Sequence, residues 1–550
     1  MMSLRRTVAL GALLFFGAAG CADLDVTNAN EPDAFRALGT PGDIESLIGG
    51  SYRSWYLANG AYDGMSIALG NMAFEYGSSA ANAGAVYYSG IPRPEIVNGP
   101  SGTYYPNLAW VYQYIYRSLA AVGSGLAAIE DPEIAGELGA ERVQRARAFG
   151  KFVQGLGHAT LAVMFDKGFV IDETTVTIED GVPVFTLEPQ SYGQVMTAAL
   201  GYFDDAIAIA KQGNFTLPST WTSQTVSSDE LARVASSMKA RYRAAVARTP
   251  AEREAVDWRA GLDEGEAGIE EDFMTDIVFV RSNWHSNVAQ LYMSQYGASW
   301  AFTMYWLEGM ADQSGLYQEW LSLPVGERHP RDGMSKDFLI QTPDLRFPQG
   351  STVEEQAANP GKYYRIVTNS AGEPVFTNQW ARPDRGTWRW SFYDDTEDRA
   401  HNAWLHGSTR LIPEVLDRSQ RLLAAEAHYW LGDHGAAAEI INETRTENGL
   451  NATDASGTNT SCVPKLPSGE CGDLFEMLKW EKRMESKLLG IMHAEGYFDS
   501  RGWGDLYRGT VLHFPIPGVE LQTLGLSGYT FGGGGEGSSP GSSYAWPGEM

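Results

Sequence analysis

Apolar residues recur at helical spacing through most of the chain. Ile44, Leu47, Ile48, Tyr52 and Trp55 share one face of a segment that opens with Thr40-Pro41 and carries Asp43 and Glu45 in its first turn, the signals of a helix start. A second stripe runs Phe149, Phe152, Val153, Leu156, Thr160, Val163 and Met164. Interleaved with it, Gly150, Gly155, Gly157 and Ala159 are small enough to let a neighbouring helix come close. Val195, Met196, Ala199, Leu200, Phe203, Ala206 and Ile207 form a third stripe. Such faces are core surfaces rather than cofactor boxes.

Residues 425–442 form two helical stretches joined at Leu431-Gly432-Asp433, with alanines where two helices would nest and Gly432 where the chain must turn. The unit resembles a tetratricopeptide helix pair. The spacing between stripes is irregular, so the pattern predicts a mainly α scaffold of degenerate tetratricopeptide-like helix pairs with long inserted loops, not a regular array. Tracts rich in Gly, Asn, Pro and aromatic residues, chiefly 59–107 and 281–412, are the inserted loops. The end of the chain, 532–550, is rich in Gly and Ser with an aromatic cluster at Tyr544 to Trp546, and reads as a flexible tail or an irregular lid.

The start of the chain points to a compartment. Arg5 and Arg6 precede an apolar run, Val8 to Ala19, that is too short to span a bilayer, and Ala18-Ala19-Gly20 leads into Cys21. This reads as a lipoprotein signal peptide over residues 1–20, with acylation at Cys21 as the membrane anchor. An ordinary secretory leader with an incidental cysteine is the alternative, and Ala18 stands where such sequences more often carry Leu. A polar stretch ending at Pro32 makes residues 21–40 a tether, followed by a body over 41–531. Cleavage removes Arg5 and Arg6 and takes the formal net charge from -27 to -29, a surface that repels phosphate backbones and argues against nucleic acid.

Two cysteines remain, Cys462 and Cys471. In an oxidising compartment they read as a small disulfide loop. Metal binding is the weaker alternative, because two thiols without a neighbouring His or third Cys do not complete a tetrahedral zinc site.

Near the end of the body Glu481, Arg483, Glu495, Gly496, Tyr497, Phe498, Asp499, Arg501, Trp503 and Gly504 string together a helix and an aromatic, glycine-rich turn. This string resembles the closing segment of the SusD/RagB family. The stretch Asp23-Leu24-Asp25-Val26-Thr27-Asn28 and the element Asp344-Leu345-Arg346-Phe347-Pro348 are similar to further segments of that family. The resemblance implies a SusD-like fold and a lipid-anchored protein of the outer membrane, facing the exterior. It also implies that the protein binds oligosaccharides or other nutrients and delivers them to a TonB-dependent, SusC-like transporter. It carries no ligand-binding residue over to a named position.

Catalytic motifs reduce to composition. Gly537-Ser538-Ser539-Pro540-Gly541 and the glycines 532–537 match the letters of a nucleophile elbow and a dinucleotide fingerprint but lack the flanking strand and helix. The acidic run 394–398 lacks the spacing and glycine of a calcium loop. The expectation is therefore a binding protein that is not an enzyme and uses no cofactor or metal. A secreted glycoside hydrolase with paired carboxylates, or a structural subunit without a ligand site, would be the alternatives.

Aromatic enrichment supplies the candidate site. Trp284, Trp300, Trp306 and Trp320 fall within 37 residues, and Trp380, Trp388, Trp390, Phe392, Tyr393 and Trp404 within 25, beside polar side chains. Ring faces next to hydrogen-bonding groups suit sugars. Trp388 and Trp390 would point the same way from an extended segment, with Arg389 opposite. Trp284 and the pair Tyr87-Tyr88 are the further candidates. Most of the remaining rings are expected in the core.

Overall fold

A computed structural model describes residues 40–60, 64–77, 84–175, 177–179, 182–184, 188–277, 303–324, 327–328, 338–366, 391, 393–395, 410–487, 494–547 and 549. Cys21, Trp284, Trp388 and Trp390 lie outside the described residues.

The scaffold is a succession of helix pairs. Helices α1 (Pro41–Gly60) and α2 (Tyr105–Ala128) pack together, then α3 (Ala140–Met164) with α4 (Tyr192–Lys211), α5 (Ser228–Ala245) with α6 (Trp258–Glu266), and α7 (Asp417–Trp430) with α8 (His434–Glu447). Each pair also touches the next, through α2 on α3, α4 on α5 and α6 on α7. Helix α9 (Leu474–Glu485) covers the last pair, and α10 (Glu495–Trp503) lies against α5. The pairs succeed one another regularly although their spacing in sequence does not, because the connections within them range from residues 431–433 to residues 61–104.

Local chemistry sets the helix ends. Ser191 with Gln194 and Ser227 with Glu230 form reciprocal capping boxes at the starts of α4 and α5. Asp433 accepts from the backbone N–H of Ala436 to open α8, and Gly432 supplies the positive φ, 82°, of the preceding turn. The small residues of α3 work as expected. A Cβ at Gly157 would lie 2.7 Å from Leu119 of α2, and one at Gly155 would lie 2.8 Å from Phe203 of α4. Polar groups cross-link the same core: Trp55 of α1 donates to Thr160 of α3 at 2.9 Å, and the Tyr242 hydroxyl of α5 lies 3.1 Å from that threonine.

A second core sits outside the helix pairs. An antiparallel ribbon of β1 (Phe273–Ile277) and β2 (Arg410–Val415) joins the two ends of the long insertion between α6 and α7. Beyond that neck, Trp306, Trp320, Phe338, Phe347, Tyr364 and Tyr393 pack with Trp480 of α9. Two of the loop tryptophans, Trp306 and Trp320, are thus structural. Trp546 belongs to this core too, edge-on to Trp306 with ring centres 5.1 Å apart. The glycine- and serine-rich end is therefore folded onto the body and not a free tail. Backbone bonds tie it down, from Ile96 N–H to the Phe531 carbonyl at 2.9 Å and from Leu512 N–H to the Gly537 carbonyl at 2.7 Å. Cys462 and Cys471 are disulfide-bonded.

Candidate functional site

The charged side chains of residues 481–487 and 494–504 point inward. Arg253 donates to Glu426 through Nε and Nη2 and to Asp499 at 2.8 Å, while Lys482 bridges Glu426 at 2.8 Å and Asp499 at 2.7 Å. Trp503 donates its indole N–H to Glu426 at 2.9 Å. Burial alone would push the Glu426 carboxyl up, but Arg253 and Lys482 hold it well below the usual carboxylate range. Two cations and two carboxylates balance, which is how such a cluster can be buried at all.

The element at 344–348 builds a second such cluster. Arg346 reaches Asp344 at 2.8 Å, Glu481 at 2.8 Å and Glu485 at 2.9 Å. Arg418 takes the other oxygen of Glu485 at 2.6 Å, and Arg445 stands 3.5 Å from Glu481. Glu495 pairs with Arg241 of α5. Among the described residues Arg501 meets no carboxylate and instead donates to the carbonyls of Val163, Ala245, Ala247 and Leu512. Those of Val163 and Ala245 are free acceptors at the C-terminal ends of α3 and α5. Among the described residues, Asp344, Arg346, Glu481, Glu495, Asp499 and Arg501, which belong to the segments that resemble the family, are thus fasteners between distant parts of the chain, with their charged ends turned to one another or to backbone carbonyls.

One buried acid is handled differently. Among the described residues neither side-chain oxygen of Glu75 has a hydrogen-bond partner, and burial raises its pKa to about 8 although Lys487 opposes the shift. Lys487 itself is engaged by Glu308 at 2.7 Å and Asp395 at 3.5 Å. A Cβ on Gly496 would fall 2.2 Å from the Glu75 carboxylate, so glycine there makes room for it.

Of the expected ring residues, Tyr87 and Tyr88 can be placed. Tyr88 is 3% exposed and packs in the first core, its hydroxyl donating to the Tyr104 carbonyl at 3.2 Å, so it offers no ring face to a ligand. Tyr87 is half-buried beside it, tilted against Tyr104 with ring centres 5.3 Å apart, and its hydroxyl donates to the Glu95 carbonyl at 2.8 Å. Trp284, Trp388 and Trp390 are outside the described residues.

A cleft that the sequence did not signal lies between α2 and α11 (Gly518–Thr523). It has a volume of about 430 Å³ and is lined by Tyr112, Gln113, Tyr116, Arg117, Ala120, Phe169, Glu520 and Leu524. The α2 residues form one face of the helix that adjoins the buried stripe of Leu108, Ile115, Leu119 and Val122, with Tyr112 belonging to both. The Tyr116 hydroxyl accepts the Phe169 N–H at 2.6 Å and donates back to the Phe169 carbonyl at 3.2 Å, which fixes both rings as the cleft's floor. Among the described residues no group of three or more His, Cys, Asp or Glu side chains is placed to hold a metal ion.

No protein-family profile matches the sequence, and no curated protein matches it. Solved structures do. A SusD superfamily protein from Bacteroides vulgatus superposes with a TM-score of 0.51 at 15% identity, covering 85% of this chain and 89% of its own. A SusD homolog from Parabacteroides distasonis gives 0.51 at 12% identity, covering 83% and 84%. The chain has a mainly α, SusD-like fold.

Proposed function

We propose that this protein is a SusD/RagB-type lipoprotein that captures glycans or related nutrients at the cell surface and passes them to a TonB-dependent, SusC-like outer-membrane transporter. The observation that carries the reading is that Glu481, Lys482, Asp499 and Arg501, in the segment that resembles the family, act as fasteners of a SusD-like scaffold spanning most of the chain. Helices succeeding one another in pairs give an extended surface of the sort that repeat scaffolds offer to large partners. The leader ending at Cys21 supports an acyl anchor, and no helix among the described residues is long and apolar enough to cross a membrane.

Two measurements test the proposal together. Tagged mature protein, extracted gently from native membranes, is expected to bring down a TonB-dependent barrel, and Cys21→Ala is expected to leave it in the soluble fraction. Purified protein incubated with oligosaccharides is expected to bind without shortening them. Recovery of the lipoprotein alone from cells expressing such a barrel counts against delivery. Release of reducing ends would favour a hydrolase instead.

A further inference from the structure

We propose that the cleft between α2 and α11 is a binding site for a short neutral saccharide, with Arg117 and Glu520 as its two polar jaws. The inference rests on the capture reading above and adds a place and a ligand class to it.

The jaws are charged and uncommitted. Among the described residues no carboxylate lies within ion-pairing distance of Arg117 and no cation within that distance of Glu520, although both line the same cleft. Arg117 is held by stacking: its guanidinium lies 4.8 Å from the Tyr114 ring centre, and Tyr114 stacks on Trp110 with centres 3.9 Å apart and planes 23° apart. Trp110 is fixed in turn by its indole N–H, which donates to the Leu57 carbonyl at 3.3 Å. Stacking positions a guanidinium without using its N–H donors. Arg117 is therefore oriented with its donors still available.

The chemistry of the lining selects the ligand. Arg117 can only donate, ionised Glu520 can only accept, and Gln113 can do both. A sugar hydroxyl also does both, so neighbouring hydroxyls satisfy all three side chains at once. Beneath them the locked rings of Tyr116 and Phe169 offer an apolar floor for the C–H face of a pyranose. The opposite charges of the jaws cancel. A uronate would gain Arg117 but confront Glu520, and an ammonium ligand would meet the reverse conflict. The volume, about 430 Å³, falls at the small end of ligand pockets and suits a few sugar rings, not a long chain.

The test is calorimetry of the mature, unacylated protein with matched panels of neutral and uronic-acid oligosaccharides, repeated on Arg117→Gln and Glu520→Gln. Neutral saccharides are expected to bind the native protein, and each substitution is expected to weaken them on the order of tenfold, the loss of one hydrogen bond to a charged group. Melting temperatures are expected to change little, since among the described residues neither side chain is ion-paired and Arg117→Gln gives up only the exposed stacking on Tyr114. A saccharide bound equally well by both variants would place its site elsewhere, overturning this inference and leaving the capture reading intact. Preference for uronates would overturn the neutral class. No binding of any saccharide would sink the capture reading along with the cleft. Recovery of a transporter barrel that falls in the two variants while saccharide affinity does not would reassign the cleft, with exposed Leu524 beside it, to protein docking.

Discussion

Arg253 and Glu426, 173 residues apart in sequence, meet as a bidentate pair with N···O distances of 2.8 and 2.7 Å and no exposed side-chain surface on either partner. The pair joins the short helix Pro250–Glu254 after α5 to the C-terminal half of α7. Lys482 and Asp499 close the cluster, so α9 and α10 are clamped at the same point. Four stretches of chain are held by one set of charges.

Removing one member leaves the others buried without balance. Glu426→Ala is expected to cost about 3–5 kcal/mol in denaturant unfolding, the range for a broken buried ion pair. Its folded-state pKa is depressed, so its contribution is present above the unfolded value near 4.5 and is lost as pH falls below it. Acid titration of the native protein against Glu426→Gln reads that difference. A variant as stable as the native protein would show that the cluster is not a fastener.

Glu75 gives the opposite sign. Its folded-state pKa, about 8, lies above the unfolded value near 4.5, so the folded protein holds the proton more tightly. The stabilisation is complete below pH 4.5 and is lost as pH rises through about 8. Glu75→Gln cannot ionise and is expected to flatten that slope, leaving the variant more stable than the native protein at pH 9 by a few kcal/mol at most. Thermal melts at pH 5, 7 and 9 check it; parallel profiles would sink the assignment.

The bond between Cys462 and Cys471 closes a loop that links α8 to the second core. The Val463 carbonyl accepts from Arg445 at 2.9 Å, and Lys465 N–H donates to the Met310 carbonyl at 2.7 Å. Paired replacement by serine is expected to lower stability by about 2.5 kcal/mol, the chain-entropy value for so short a loop. Melting with and without reductant measures the same quantity on the native protein.

The ring residues separate into two expected behaviours. Tyr88→Ala removes a core side chain and is expected to cost about 3–5 kcal/mol of stability. Trp388→Ala and Trp390→Ala, with Tyr87→Ala and Trp284→Ala beside them, are proposed to weaken a verified oligosaccharide by about five- to a hundredfold with the fold retained. Calorimetry and melting curves on each variant distinguish the two. Loss of stability without a specific loss of affinity would move those rings into the core.

The helices and their pairing were legible in the sequence because burial imposes a period on it. Ile44, Ile48, Tyr52 and Trp55 lie on one buried face of α1, and Gly155 and Gly157 lie where α4 and α2 approach α3. The turn at Gly432 could be read for a similar local reason, since glycine meets the positive φ without strain. What could not be read is which charges meet. Sixty-eight acidic residues give no sign that Glu426 belongs to Arg253, or that Arg117 and Glu520 share a cleft while lacking partners in it. Nor does a glycine-rich ending reveal that Trp546 is core. Periodicity records how one element meets its own neighbourhood. Long-range pairing depends on positions in space that separate elements reach only when they pack together, and the tertiary structure alone decided those.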